Sequence, residues 1–184
     1  MSIGGDLQIA IGSGALAPLP MRLDSDAQVR TMLLSEEVRE LVLGPYRSRA
    51  HEARGGLLWA DMESFVRGGH VSICLTPKKA GKHAKFGLLD PISAATWDFR
   101  NQVPSPSLRI LGHFESVDRF VALTWWPKRV LVDWSQKEPL GDDVRRWRDA
   151  ITECNERWYE ILPNSVPVAG LKGDSYVSSK FHIV

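Results

Sequence analysis

The chain has 184 residues, a formal net charge of +1 and 43% hydrophobic residues. That is one domain's length with enough apolar content for a core, and too little net charge to draw the whole molecule to a polyanion. No run approaches the roughly 18 apolar residues of a membrane span, and Cys74 and Cys154 lack metal-ligand spacing, so they read as free thiols.

Residues 1–20 are rich in Gly, Ala and Pro and lack a basic leader. They read as an N-terminal arm, with Leu7–Ile11 available as a short strand, and not as a signal peptide. The expected location is cytoplasmic, with no membrane partner. Residues 21–184 then form a single α+β domain. Asp24–Leu43 has two readings. Asp24 or Asp26 caps one long helix, or a short strand over Arg30–Leu34 precedes a helix starting at Ser35-Glu36-Glu37. Gly44-Pro45 ends either one. Tyr46–Arg54 reads as a solvated basic loop or helix face. Gly56–Arg67 is a helix with Leu58, Met62, Phe65 and Val66 on one face, stopped by Gly68-Gly69. His70–Thr76 alternates as a strand.

Residues 64–89 carry Arg67, Lys78, Lys79, Lys82, Lys85, His70 and His83, and no acid. Lys78–Lys85 reads as a basic loop suited to phosphate contact. A three-stranded antiparallel meander follows over Thr96–Val103, Leu108–Phe114 and Arg119–Trp126. Pro104-Ser105-Pro106-Ser107 and Glu115–Asp118 are the turns, too short for a parallel crossover. Trp97, Phe99, Leu108, Ile110, Phe120 and Leu123 are expected core. Asp98, Arg100, Arg109, His113 and Arg119 take the alternate positions. Val130–Trp134 reads as a short strand or loop. Asp142 and Asp143 then open a helix with the stripe Val144, Trp147, Ile151, Cys154, Trp158 and Ile161. The apolar and aromatic tail after Asn164 is expected to dock. The expected fold is an antiparallel sheet of about four strands packed by the helices near 56–67 and 141–162, with an added N-terminal helix.

Trp97-Asp98-Phe99-Arg100, then Arg109-Ile110-Leu111, then an apolar strand running into Lys128-Arg129, and then a helix resemble the RelE/ParE toxin superfamily over about residues 56–162. The resemblance implies an open sheet face bearing Arg100, Arg109, Lys128 and Arg129. It implies mRNA cleavage, usually on the ribosome, or poisoning of DNA gyrase, and a cognate antitoxin as partner. The chain departs from the pattern in being about twice as long and nearly neutral.

Cutting RNA through its own 2′-OH needs a base, cations for the developing phosphorane charge and an acid for the leaving oxygen, with no metal or other cofactor. Arg100, Arg109 and Arg129 are the expected cations, and His113 the acid or base. Lys78, Lys79, Lys82, Lys85 and Lys128 are the expected RNA contacts. Tyr176, Lys180 and His182 are candidate contributions from the tail. The alternative is a non-catalytic module that holds a protein partner on the open sheet or the Trp-rich helix.

Overall fold

The structure is a computed structural model describing residues 4–23, 25–77, 83–103, 105, 107–131, 141–170 and 172–184, with backbone only for 129, 130 and 141–144. Its centre is an eight-stranded mixed sheet rather than the expected four antiparallel strands. The strands are β1 (Leu16–Pro18), β2 (Thr31–Ser35), β3 (Val71–Cys74), β4 (Phe86–Leu88), β5 (Trp97–Asn101), β6 (Leu108–Ser116), β7 (Arg119–Pro127) and β8 (Phe181–Ile183). Across the sheet they run β1-β2-β7-β6-β5-β4-β3-β8.

The meander is the middle of this sheet. β5, β6 and β7 pair antiparallel, with Arg100 opposite Arg109 and Arg109 opposite Trp126. The additional strands extend both edges. β2 pairs parallel with β7, and β3 pairs parallel with both β4 and β8. Parallel partners are joined by long connections, so no turn marks them in the sequence.

Helices cover both faces. On one side lie α2 (Glu36–Leu43) and α3 (Arg49–Val66). Ser35 and Ser48 cap them by accepting from the N–H groups of Val38 and His51. The α3 residues Leu58, Met62, Phe65 and Val66 pack with Val71, Ile73, Phe86, Trp97, Phe99, Ile110, Phe114 and Phe120. On the other side lie α1 (Gly5–Gly12) and α5 (Gly141–Ile161). Ile151, Cys154 and Trp158 of the predicted stripe are buried there against Leu111, Val121 and Leu123. A four-residue helix, α4 (Lys128–Leu131), follows β7.

Several elements differ from the sequence reading. Asp24–Leu43 is the strand-then-helix alternative. The arm over Leu7–Ile11 is helical, because Leu7 and Ala10, three apart, reach the core on one helix face. The α3 helix starts seven residues earlier than Gly56, because Ser48 supplies a cap. The start of the expected Val130–Trp134 segment belongs to α4, and the rest of it lies outside the described residues.

Arg30 ties these layers together from a fully buried position. Its Nη1 donates to the carbonyls of Phe65 and Gly69, and its Nη2 to that of Ser179 at 2.6 Å. Asp118 lies 3.3 Å from its Nε. One guanidinium thus satisfies the end of α3 and holds the C-terminal segment.

The register of β6 on β7 shifts at Gly112, where the backbones approach closely. A Cβ there would overlap the Val121 carbonyl oxygen, which cannot move without breaking the ladder. Gly112→Ala should cost about 2–4 kcal/mol in urea unfolding. Gly56→Ala, in open space within α3, should be neutral or stabilising by up to about 1 kcal/mol. Equal effects would contradict the close approach at the bulge.

Candidate functional site: a strand-end cleft beside a buried arginine pair

The alternate positions of the meander do share one face, but that face is shut. Asp98, Arg100, Arg109 and His113 all point to the side covered by α5, and each is at most 8% exposed. The sheet therefore offers no open basic face at these positions. The difference from the sequence reading is physical: alternating charges on a strand read as a solvated face unless a second layer of helices is known to lie over it.

Within that layer one carboxylate is shared by two guanidiniums. Asp98 accepts from Arg100 Nε through both carboxylate oxygens, at 2.9 and 3.0 Å. Arg109 Nη1 sits 3.1 Å from Asp98 Oδ2. Burial pushes the Asp98 carboxyl up, and the two guanidiniums pull it back. Burial also lowers the pKa of Arg109 and, with Arg109 and Arg100 beside it, that of half-buried Lys128. Gly87, opposite Asp98, leaves room for this pair. A Cβ there would fall on the Arg100 guanidinium and the Asp98 carboxylate.

His113 lies on the same strand as Arg109, four residues and roughly 13 Å away. It has no exposed surface. Its Nδ1 is 3.0 Å from the Ala95 carbonyl, its Nε2 3.7 Å from Cys154 Sγ, and its ring packs edge-on to Trp158. Burial lowers its pKa to about 4 and pushes the Cys154 thiol up, so both groups are held neutral. This is a core histidine sealed under α5, and it does not meet the arginines. Both cysteines are free and buried.

Arg100 also borders a cleft of about 370 Å3 at the strand ends. This cleft brings together residues from four elements. His70 and Ser72 come from the start of β3, His83 and Lys85 from the segment entering β4, Asn101 from the end of β5, and Asp61 from α3. Lys85 Nζ is 2.9 Å from Asp61 and lies over the Phe99 ring at 5.2 Å. Asp61 also accepts from Asn101 Nδ2 at 2.9 Å. Because a carboxylate accepts only, this bond fixes the amide orientation of Asn101. Ser72 Oγ donates to the His83 carbonyl and accepts from the Lys85 N–H, which locks the segment entering β4 onto β3.

The remaining expected site residues divide. Lys85 lines the cleft. Lys78, Lys79 and Lys82 lie outside the described residues, as does the Arg129 side chain. Tyr176 is core, its ring against Trp97 and Phe114 and its hydroxyl bonded to Gly170. Lys180 borders a second hollow with Glu63 and Arg67, which neither Arg100 nor Arg109 lines. His182 is exposed and reaches His70. His70 and His83 lie within the acid-free stretch, and nothing local to the sequence marks them as sharing a site. Asp61 and Asn101 carry no local signal, because their contribution depends on how α3 and β5 meet. No described helix is long and apolar enough to cross a membrane, and no metal cluster of three or more ligands occurs among the described residues.

No protein-family model, curated protein or solved structure matches the chain.

The burial of His113 has a measurable consequence. A histidine with a folded pKa near 4 and an unfolded pKa near 6.5 leaves stability intact above about pH 6.5 and removes it as pH falls towards 4. The loss should total roughly 3 kcal/mol across that window. Subtracting the pH profile of His113→Leu from that of the wild type should isolate it. Parallel profiles would show that His113 titrates normally.

Proposed function

We propose that this chain is a RelE/ParE-like, toxin-type protein that binds RNA in the strand-end cleft and cuts its backbone without a catalytic metal. The observation that supports this most is the composition of the cleft: two imidazoles, Lys85 and Arg100 around a space of about 370 Å3. Lys82 directly precedes His83 in the sequence, and Lys78 and Lys79 lie just before Ala80-Gly81. In this reading these lysines follow the RNA backbone away from the cleft.

The exposed His83 takes the proton of a 2′-OH, and that oxygen attacks the adjacent phosphorus. The bond from phosphorus to the 5′-oxygen breaks, and His70 gives the leaving oxygen a proton. The products are a 2′,3′-cyclic phosphate and a 5′-hydroxyl, so no co-reactant is consumed. Lys85 and Arg100 offset the charge of the phosphorane. Arg109 acts through Arg100, by sharing Asp98, and does not touch the RNA. The acid and base thus move from His113 to the rim histidines. A cognate antitoxin remains the expected protein partner. Binding through an open sheet or the Trp-rich helix is less favoured, because helices cover both sheet faces and Trp158 is buried in the core.

Purified protein incubated with single-stranded RNA in EDTA should leave cyclic-phosphate ends. His83→Ala should slow cleavage by about a hundredfold without shifting thermal unfolding. Replacing Lys78, Lys79 and Lys82 with Ser should flatten the salt dependence of binding by about 0.7 for each lost phosphate contact. Intact RNA after long incubation with folded wild type would exclude cleavage, and absence of binding at low salt would exclude the RNA reading altogether.

A further inference from the structure

Strand β8 is three residues long and forms the outer edge of the sheet. It buries little of itself: His182 and Ile183 are exposed, Ile183 at 56%, and Val184 just beyond its end is also exposed. Two backbone bonds of 2.9 Å bracket it, from the Val71 N–H to the Lys180 carbonyl and from the Val184 N–H to the Ile73 carbonyl. Its central residue, His182, stands opposite Ser72 in the register. His70 precedes β3 two residues before Ser72, so the two histidines are diagonal neighbours across the strand pair.

Their geometry is specific. His70 Nδ1 and His182 Nδ1 lie 3.3 Å apart, with ring centres 4.8 Å apart and planes inclined by 31°. The separation is long for a hydrogen bond. Two imidazole nitrogens each about 2.0–2.1 Å from one tetrahedral ion are themselves about 3.3 Å apart. We propose that His70 and His182 form a two-histidine clamp for a divalent ion of the Zn2+ class, which staples β8 to β3. Imidazole pairs suit zinc and its borderline neighbours, and not magnesium or calcium.

Among the described residues no further His, Cys, Asp or Glu completes a cluster. The clamp therefore supplies two ligands, and water fills the other positions of an accessible, exchangeable site. Binding through Nδ1 leaves the Nε2 of each ring uncoordinated. The clamp does not depend on the RNA reading, and its test uses no RNA.

The full chain, freed of metal with EDTA and dialysed, would be titrated with Zn2+ by calorimetry and with Co2+ by visible absorption. The expected result is one ion per chain and a thermal midpoint that rises with Zn2+ concentration. His70→Ala and His182→Ala should each weaken binding roughly tenfold or more and remove the thermal response. His51→Ala, on the exposed start of α3, should behave as wild type. Absence of binding by wild type, or equal binding by His182→Ala, would overturn the clamp, whatever the outcome with RNA.

Discussion

Two helical layers close on one sheet, and the charges on its central strands must be neutralised inside. The apolar face of β5 and β6 packs against α3, with Phe86, Phe99, Phe114 and Phe120 in mutual ring contact. The opposite face, towards α5, carries Asp98 between Arg100 and Arg109. Removing one member of such a buried group leaves an uncompensated charge, which is far more costly than losing a surface pair. The cluster therefore fixes Arg100 in place. A positively charged group held rigidly at the edge of a cleft is better preorganised for an anionic ligand than a mobile lysine on a loop.

Covering both faces also decides where recognition can occur. The described sheet surface is packed, so contact is left to strand ends, edges and the outer faces of helices. The ends of β3, β4 and β5 meet beside α3, and there imidazoles and a lysine line a common space that Arg100 borders. Asp61 is the organising acid of this rim. It holds Lys85 and Asn101 at once, so α3 and β5 are tied at the mouth of the cleft.

The elements legible in the sequence were those with local signals. The meander announced itself through alternation and two short turns, and α5 through a stripe repeating every three or four residues. β1, β4 and β8 are only three residues long, too short for period-two alternation to register. β2 has two readings in the sequence because its parallel partner, β7, lies far along the chain and no hairpin turn links them. The arginines were legible as a pair but not as buried, since that depends on α5 folding back over the same face. His113 misled for the same reason: alternation puts it with Arg109, while Cys154 and Trp158 seal it from solvent. The tail was legible as docked, although Tyr176 docks as core and His182 as rim. Asp98 was the available clue, a single acid two residues before Arg100 and within reach of Arg109 on the next strand.

In the proposed function, ligands meet this protein at the strand-end cleft and not on the sheet face. Chemical-shift perturbation on isotope-labelled full-length chain, titrated with a short single-stranded RNA at low salt, tests it most directly. RNA held in the cleft should shift His70, Ser72, His83, Lys85 and Asn101 progressively and leave His113 and Cys154 unmoved. Shifts centred on β6 and α5, with the cleft residues unchanged, would contradict it.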